Sequence, residues 1–475
     1  MTKYYKSSIH SFYPDIQKTS ITKIMSEDLI RKEIETNRNE HIEFLRRLIQ
    51  TESYNPPGNE KNVAIVIEDY LKNQNINFEV FPFEENRANV LIYLKSKFDD
   101  KNLLYNAHMD VVPPGNEEDW KYPPLSAYIK RKKLIFGRGS SDMKAALAAM
   151  VISLKILKKL NLKLSGNLIV NAVADEETGG KLGTKWCLEN VLKAKNIKSD
   201  FIIVGEPSGL APLPKAIILG EKGHLLLKII THGKSAHSMV PDMGINAIYM
   251  MSKIIENLNS LDNFIPNIKP PFSLIELKNL VSSAFPSNEI FEKIFDEQPL
   301  LQNFLASLTK FTKSLNVING GIKGNIIPDH CEAIIDFRLL PGQNSKIILE
   351  GLKKLITHIG FKVKELSEDI AIDSFVSIEV YEEGAASIWK DYENSDEIKE
   401  FKKIVEDIYG KKSFFALAPG STDAHYYRNS GYCLKTIHFG PGKAADMHAI
   451  NESIEIEDFI NSILVYTLFA YQFLK

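Results

Sequence analysis

The chain has 475 residues, more than one ordinary hydrophobic core accommodates, so two domains are expected. Hydrophobic residues make up 44% and charged residues 25%, and the formal net charge is −2 with both signs interspersed. This balance is typical of a globular protein and gives no electrostatic reason to expect nucleic acid or a membrane as a partner. The only 3 cysteines form no CxxC pair and no disulfide framework. They fit a reducing cytoplasm and are expected to be buried apolar side chains: Cys187, Cys331 and Cys433.

Neither end of the chain predicts a membrane segment. Met1 to Asp28 lacks the apolar core of a signal peptide. The longest apolar stretch, Phe459 to Leu474, is shorter than the roughly 20 residues that a membrane span needs. It is better explained as a packed terminal helix.

The first part of the chain alternates helix and strand patterns. Helical spacing of apolar residues runs from about 28 to 50, from Val63 to Leu71, and from Met143 to Leu157. Short apolar runs between polar breaks predict strands at Asn89–Leu94, Leu103–Tyr105, Asn167–Ala174 and Phe201–Val204. This alternation predicts an α/β layered sheet.

The middle of the chain has a different pattern. It predicts one or two strands over Ile217–Ile230, a helix over Gly244–Leu261, a strand over Glu332–Leu339 and a helix over Ser345–Ile359. Such an order resembles a small α+β unit of the ferredoxin-like, split βαβ kind. The stretch 262–316 carries no motif and is predicted to be irregular, with a helical pattern only in its last part, Leu300 to Leu315.

After about residue 384 the first pattern returns. A helix is predicted over Ser395–Tyr409, a strand over Tyr432–His438 and a terminal helix over Ile454–Leu474. We therefore predict an α/β catalytic domain formed by residues 1–213 and 384–475, interrupted by an inserted α+β domain at 214–383.

Charged residues follow three of the predicted strands at the point where each strand ends. His108 and Asp110 follow the strand at 103–105, Glu176 and Glu177 follow the next, and Glu206 follows Phe201–Val204. Because ligands of open α/β sheets bind beyond the carboxyl ends of the strands, these groups are expected to share one edge. Several carboxylates buried together repel one another unless cations neutralise them. A metal site is the simplest explanation.

Each motif also has an ordinary explanation when taken alone. His108 suits a metal, with Asp110 accepting its other ring N–H, or it is a solvated loop residue. Asp142 has two oxygens for two metals, although by itself it is better explained as the N-cap of the following helix. Of the adjacent residues Glu176 and Glu177, one can bind metal while the other acts as a base. The alternative is that both lie in a solvated acidic loop. His448 lies in a late loop and is either a ligand or a surface residue.

Together these motifs resemble the M20 metallopeptidase family, which includes acetylornithine deacetylase, succinyl-diaminopimelate desuccinylase, aminoacylase and glutamate carboxypeptidase. The resemblance runs from about Ile42 to the C-terminus. It rests on five stretches in this order: His108–Pro113, Gly137–Lys144, Asp175–Gly180, Gly205–Ser208 and Asp446–His448.

The resemblance implies a di-metal, aminopeptidase-like catalytic domain with an inserted lid and dimerisation domain. His108, Asp142, Glu177, Glu206 and His448 would hold two divalent ions, with Asp142 bridging. Zinc is the expected metal, with cobalt and manganese as alternatives. Asp110 would orient His108, and Glu176 would be the general base and acid.

The resemblance also assigns residues of the inserted domain. His237, in the stretch Gly233–Ser238, would stabilise the oxyanion. In the family this histidine often reaches across a dimer. Without the resemblance, His237 would be interpreted as an ordinary loop residue. Gly324–Pro328, which contains Asn325, and Asp336–Arg338 resemble stretches that bind the substrate carboxylate. The fork of Arg338 suits a carboxylate, or else forms an ion pair at a strand edge. The loop Gly420, Ser421, Thr422 and Asp423 resembles a pocket-lining loop, and His425 stands where many relatives carry arginine.

We therefore expect a metal-dependent hydrolase that cleaves the amide bond of an N-acyl amino acid or small peptide with a free carboxylate. A homodimer formed through the inserted domain is expected from the resemblance. Two other hypotheses remain: a dinuclear phosphoesterase, which uses similar ligands but would need phosphate-clamping arginines, and a non-catalytic binding protein on the same scaffold.

Overall fold

The computed structural model describes residues 14–98, 100–210, 213, 215–364 and 374–475, with side chains from residue 25 onward. The predicted lack of a signal peptide falls partly on residues 1–13, which lie outside the described residues. The helices are α1 (Pro14–Thr36), α2 (Arg38–Gln50), α3 (Glu60–Leu71), α4 (Lys144–Lys159), α5 (Ala247–Asn257), α6 (Leu274–Ser282), α7 (Asn288–Glu297), α8 (Pro299–Leu308), α9 (Ser345–His358), α10 (Asp396–Tyr409), α11 (Ala424–Asn429) and α12 (Ile456–Leu474).

The strands are as follows: β1 (Asn77–Glu84), β2 (Arg87–Leu94), β3 (Asn102–His108), β4 (Tyr128–Lys130), β5 (Leu134–Phe136), β6 (Asn167–Val173), β7 (Phe201–Val204), β8 (Ala216–Glu221), β9 (Gly223–His232), β10 (Ala236–His237), β11 (Thr312–Gly320), β12 (Ile326–Ile327), β13 (His330–Leu339), β14 (Phe375–Gly384), β15 (Ser387–Ile388), β16 (Phe414–Ala418), β17 (Thr436–His438) and β18 (Ser453–Glu455).

The described chain divides into two compact units. The first comprises the residues up to Ile217 together with Asp391–Ser413 and Lys435–Lys475, and the second comprises Ile218–Lys390 and Phe414–Leu434. The sequence places the domain boundaries at 213/214 and 383/384, and assigns the whole of 384–475 to the catalytic domain.

The first unit is built on a sheet with strand order β1-β2-β6-β3-β7-β17. The pairs β6–β3, β3–β7 and β7–β17 are parallel, while β1 and β2 are antiparallel additions at one edge. Strands β3, β6 and β7 are almost entirely buried, as expected for parallel strands covered on both faces. Their carboxyl ends meet at one edge of the sheet, which confirms the arrangement predicted from the sequence.

Helices α4 and α12 pack against each other in this unit. Nearly every residue of α12 is buried, because beyond its first turn the helix is mostly apolar on every face. The predicted terminal helix is therefore confirmed. No helix among the described residues combines the length and apolarity needed to cross a lipid bilayer.

The helical pattern predicted over about 28–50 is divided in the structure. It becomes α1 and α2, which meet at Asn37, a residue with φ −105° and ψ 17°. Its side-chain amide donates to the backbone oxygen of Glu33 at 2.9 Å. Such local hydrogen bonding by asparagine competes with the helical pattern.

The second unit contains an antiparallel sheet with strand order β11-β13-β9-β14. Helix α5 follows β9 along the chain and helix α9 follows β13, which gives the split βαβ order predicted from the sequence. The core lies between sheet and helices and includes Leu227, Phe337, Met251 and Leu352. The α/β class with an inserted ferredoxin-like unit is confirmed.

The prediction of an irregular 262–316 stretch was wrong. It contains α6, α7 and α8, and Thr312 begins β11, so the helical pattern predicted over Leu300–Leu315 holds only as far as Leu308. Each helix has its own start signal: Ser273 and Glu276 form a capping box, Ser287 caps α7, and Pro299 opens α8. Helices of nine or ten residues have few turns, so the periodicity of their apolar residues is weak. The prediction was therefore determined by the asparagine, proline and phenylalanine residues of the stretch.

The cysteine prediction is confirmed. The three thiols are free and buried, and Cys187 and Cys331 are each only 1% exposed.

Candidate metal centre

The predicted ligands converge at one edge of the sheet in the first unit. His108 ends β3, Glu177 lies in a 3₁₀ turn just after β6, and Glu206 follows β7. Asp142 precedes α4 and His448 lies in the loop between β17 and β18. Because β6, β3 and β7 are parallel neighbours, their ends bring these side chains together.

Asp142 lies between two imidazoles. Its Oδ1 is 3.1 Å from Nε2 of His108, and its Oδ2 is 3.3 Å from Nε2 of His448. The Nε2 of His448 is also 3.0 Å from Oε2 of Glu177, and the Nε2 of His108 is 3.9 Å from Oε1 of Glu206. The residue that caps α4 is Met143, not Asp142. The N-cap explanation of Asp142 is therefore wrong, and its carboxylate is instead directed to the cluster.

Two overlapping groups have the spacing of metal ligands. One consists of His108, Asp142 and Glu177, the other of His108, Glu176 and Glu206, and within each group the ligand atoms lie within 4.8 Å of one another. Carboxylate oxygens and imidazole nitrogens are the donor types that zinc, cobalt and manganese accept. The donor set therefore fits divalent cations.

The electrostatics of the cluster favour positive charge. Burial alone would raise the pKa of the Asp142 carboxyl, but hydrogen bonds from His108 and His448 lower it. Burial and the neighbouring Asp142 carboxylate raise the pKa of Glu177. Hydrogen bonds to Asp142 and Glu177 raise the pKa of His448 to about 10. Burial would lower the pKa of His108, but its hydrogen bond to Asp142 raises it well above the usual value. The carboxylates thus stabilise cationic groups placed among them.

The close approach of β7 to α4 depends on Gly205. A Cβ on this glycine would lie 2.5 Å from Cε of Met143 and 2.6 Å from Cβ of Ala146. Any larger residue would push apart the two elements that carry Glu206 and Asp142.

Asp110 makes different contacts from those predicted. The Nδ1 of His108 donates to the backbone oxygen of Asp110 at 2.8 Å, whereas the Asp110 carboxylate is 3.7 Å away. That carboxylate instead accepts from Asn55 Nδ2 at 2.8 Å and from the backbone N–H groups of Glu176 and Glu177 at 3.3 and 3.2 Å. The carbonyl fixes the tautomer of His108, and the carboxylate holds the turn that carries both glutamates.

Glu176 lies half-buried in that turn, just after Asp175. Asp175 has φ 72°, a left-handed conformation that costs energy in a residue other than glycine. The Asp175 carboxylate accepts from Oγ1 of Thr178 at 2.7 Å, from N of Leu182 at 2.9 Å and from Nη2 of Arg87 at 3.3 Å. These contacts hold the turn in the conformation that presents Glu176.

His237 and Asn325 lie in adjacent elements of the second unit. Strands β10 and β12 pair, with His237 opposite Ile326, and the backbone oxygen of Asn325 accepts from N of Ser238 at 3.1 Å. His237 is exposed, and its Nδ1 accepts a hydrogen bond from N of Met239 at 3.1 Å. When Nδ1 accepts, a neutral ring carries its proton on Nε2.

Arg338 and the Gly420–Thr422 loop are neighbours in the same unit. A Cβ on Gly420 would be 3.9 Å from Nη1 of Arg338. Nε and Nη2 of Arg338 both donate to Oδ2 of Asp336, at 3.2 and 3.0 Å, so the strand-edge ion pair is present. Ser421 donates to the backbone oxygen of Ala385 at 2.9 Å.

Thr422 and His425 contact one another within the loop. The Oγ1 of Thr422 donates to Oε2 of Glu221 at 3.5 Å, and its backbone oxygen accepts from Nδ1 of His425 at 2.7 Å. Burial lowers the pKa of His425. Burial therefore favours the neutral form of this ring, at the position where the sequence resemblance leads us to expect a cation.

Sequence reasoning missed several residues that hold the ligands in place. Asn55 contacts Asp110 from 55 positions away, and nothing local in the sequence marks it. Arg138 stands inside the Gly137–Lys144 motif but was given no role. Glu452, four residues after His448, was not singled out, although it binds the turn before Asp142.

Comparison with known proteins identifies the family of the chain. The model of the peptidase family M20/M25/M40 matches residues 104–472. The chain is 28% identical over 442 residues to a probable succinyl-diaminopimelate desuccinylase of Staphylococcus aureus, covering 92% of this chain and 98% of that protein.

Two further likenesses extend the comparison. An N-formyl-4-amino-5-aminomethyl-2-methylpyrimidine deformylase of Halalkalibacterium halodurans is 24% identical over 92% of this chain and 95% of its own length. The crystal structure of an M20 family metallo-carboxypeptidase from Sulfolobus solfataricus has a TM-score of 0.72 at 22% identity, with 91% of this chain and 98% of that one covered.

Proposed function

The chain belongs to peptidase family M20/M25/M40 and is a metal-dependent amide hydrolase, and from this premise we propose that it cleaves an N-acyl amino acid or a small peptide with a free carboxylate. The observation that carries the proposal is the cluster in which the buried Asp142 lies between the buried His108 and the exposed His448. Such a cluster at the carboxyl ends of parallel strands is suited to hydrolysis assisted by metal ions.

Five residues are proposed to hold two divalent cations: His108, Asp142, Glu177, Glu206 and His448. Asp142 is assigned the bridging position because its two oxygens face two different histidines. Zinc is the proposed metal, with cobalt and manganese as alternatives. Cations bound there would polarise the substrate carbonyl and lower the pKa of the attacking water.

Glu176 is proposed as the general base and acid. It takes a proton from the attacking water and returns it to the leaving nitrogen, so that one carboxylate serves both halves of the reaction. Support comes from the turn that presents it, whose backbone N–H is bound by Asp110, and from its place within 4.8 Å of His108 and Glu206 ligand atoms.

His237 is proposed to stabilise the oxyanion of the tetrahedral intermediate. An oxyanion needs a hydrogen-bond donor, and a ring whose Nδ1 accepts from Met239 carries its proton on Nε2. Its exposure fits a group that meets substrate rather than one that is packed in a core.

The substrate carboxylate is proposed to bind Arg338, Asn325 and the loop Gly420, Ser421 and Thr422. The Nη1 of Arg338 lies next to Gly420, and a guanidinium with a neighbouring loop suits a planar anion. If this holds, replacing the substrate's carboxylate by a carboxamide raises KM, and Arg338→Met raises KM for the carboxylate substrate but not for the carboxamide. Equal effects on both substrates would argue against the assignment.

A homodimer through the second unit is also proposed. β11 is an edge strand of its sheet, with Val317 and Ile318 exposed, and such edges are suited to pairing with another chain. Light scattering after gel filtration should give twice the mass of one chain, and Val317→Lys should reduce the measured mass to that of a single chain.

The three free, buried cysteines support a reducing cytoplasm as the proposed compartment.

The activity is tested with a panel of N-succinyl, N-acetyl and N-formyl amino acids and dipeptides, after chelation and re-addition of zinc, cobalt or manganese. Hydrolysis of at least one member should depend on added metal. Glu176→Gln should then lower kcat by about 10² to 10⁴-fold. Glu189→Gln changes an exposed glutamate of the same unit and should not.

Two results would contradict the proposal. One is near-normal turnover by metal-replete Glu176→Gln. The other is hydrolysis of a phosphate ester, run alongside the panel, by a protein that leaves every amide intact.

A further inference from the structure

One buried carboxylate binds the turn that carries Asp142. Glu452 lies between His448 and β18 and is 1% exposed. Its Oε1 accepts from the backbone N–H of Ser141 at 2.6 Å and of Asp142 at 3.0 Å, and its Oε2 accepts from N of Gly139 at 3.1 Å. The side chain of one segment thus fixes the backbone of another that is 310 positions away.

Arg138 is a further partner of this carboxylate and connects it to two more loops. Its Nη1 donates to Oε2 of Glu452 at 2.7 Å and to the backbone oxygen of Ala449 at 3.2 Å. Its Nη2 donates to the backbone oxygens of His448 at 3.3 Å and Pro113 at 3.5 Å. The guanidinium is therefore bound to the loops that follow His108 and carry His448.

The ion pair between Arg138 and Glu452 is expected to contribute little to the free energy of unfolding. Both side chains are nearly inaccessible, at 3% and 0% exposure, and removing two charges from water offsets much of their attraction. What the pair does supply is geometry, because a planar fork and a carboxylate fix the relative position of the segments they bind. His448 itself has φ 58°, so its loop needs such support.

We propose that Arg138 and Glu452 are a positioning pair that sets Asp142 against His448 and thereby determines the affinity of the cation site. Neither residue contacts substrate or metal in this assignment; both act through the backbone of the two ligand segments. The inference rests on the proposed metal-binding function.

The test measures Zn²⁺ affinity on chelator-treated full-length protein, by competition with a chromophoric chelator. Glu452→Gln keeps the shape of the side chain but presents an amide where three N–H donors need an acceptor. We expect its dissociation constant for Zn²⁺ to rise about tenfold to a hundredfold, the usual effect of removing a residue that orients ligands. The visible spectrum of the Co²⁺ form should change as well, because the ligand geometry changes.

A matched variant separates positioning from loss of stability. Glu221 and Arg428 form another buried Glu–Arg pair, at 0% and 1% exposure, in the second unit and with an N···O distance of 2.9 Å. Glu221→Gln is expected to lower the melting temperature without changing Zn²⁺ affinity. Equal weakening of Zn²⁺ binding by Glu221→Gln and Glu452→Gln would overturn the inference.

A second variant is used if Glu452→Gln does not fold. Arg138→Lys keeps a cation beside Glu452 but loses the fork that reaches His448 and Ala449, so it too should weaken Zn²⁺ binding. Wild-type affinity in every variant that folds would overturn the positioning role alone. Failure of the wild-type protein to bind Zn²⁺ would instead overturn the proposed function on which the inference rests.

Discussion

Asp142 is the residue on which the proposed cation cage depends most directly. Its two oxygens meet two histidines from segments that lie on either side of it in sequence, at 108 and 448. Its low pKa, maintained against burial by these hydrogen bonds, keeps both oxygens available as ligands.

Asp142→Asn should therefore reduce bound metal from two ions per chain to fewer than one, because an amide oxygen is a weaker ligand and cannot bridge. The measurement is metal analysis by mass spectrometry after dialysis against zinc. Asp446→Asn is the matched control, since Asp446 lies two residues before His448 in the same loop but is not one of the five proposed ligands. Two ions retained by Asp142→Asn would contradict the bridging assignment.

His41 makes stability depend on pH. It is 3% exposed on α2, with Tyr70 Oη 3.5 Å from its Nδ1. Burial lowers its pKa from 6.5 to about 4, an effect that the positive charges of Lys155 and Lys159 reinforce and that Glu40 opposes. A histidine with a depressed pKa in the folded state contributes its stability above pH 6.5, and this is lost as the pH falls towards 4.

Between pH 7.5 and pH 5 this group should reduce the free energy of unfolding by about 2 kcal/mol. His41→Leu should show a correspondingly smaller loss in urea unfolding measured at the two pH values. His358→Leu, at an exposed position on α9, serves as the control. An unchanged pH dependence in His41→Leu would show that this residue is not the sensor.

How far single residues were predictable depends on whether their signal is local. The ligand candidates were visible because each lies in a short motif after an apolar strand or just before a helix. The contacts of Asn55 with Asp110, and of Glu452 with Asp142, were not visible, because they join segments 55 and 310 positions apart. Likewise, only the three-dimensional structure places the carbonyl of Asp110, rather than its carboxylate, on His108.

At the scale of elements, Lys222 anchors α8, the last helix of the insertion α6–α8. This residue lies between β8 and β9 and is 2% exposed. Its ammonium donates to the backbone oxygens of Ser307 at 2.8 Å and Lys310 at 2.6 Å, at the C-terminal end of α8. A cation there also suits the negative end of the helix.

Lys222→Met should loosen α8, since hydrogen bonds to charged groups contribute about 1.5–3 kcal/mol each. Hydrogen–deuterium exchange should accelerate more than about tenfold for amides of α8. Lys278→Met removes a partly exposed ion pair with Glu292, at 23% and 52% side-chain exposure, and should have less effect. Unchanged exchange in α8 would contradict the anchoring role.

Long or buried elements were predicted from the sequence, whereas several short or half-exposed elements were missed. The strands β3, β6 and β7 and the helices α4 and α12 have long or continuous apolar patterns, and all were predicted. The helices α6–α8 were missed because their signals are caps, such as Ser273 with Glu276, rather than periodicity. The edge strands β1 and β14 were also missed, since half-exposed strands carry weak patterns.

At the scale of the whole molecule, the unit to which residues 414–434 belong could not be predicted from their position in the chain. This segment supplies β16 and α11 to the second unit, although the residues on both sides of it belong to the first. In that unit β16 packs against α6 and α11 packs against β15, and contacts between distant segments cannot be read from the periodicity of either one.

The central claim is that segments spread over more than 300 residues form a cage for two cations. The most direct measurement is a crystal structure of the protein grown with zinc, with diffraction recorded above and below the zinc absorption edge. We predict two anomalous peaks per chain, both in contact with Asp142, one also with His108 and the other also with His448. Peaks confined to other parts of the molecule, or no peak among these side chains in zinc-saturated crystals, would contradict the account.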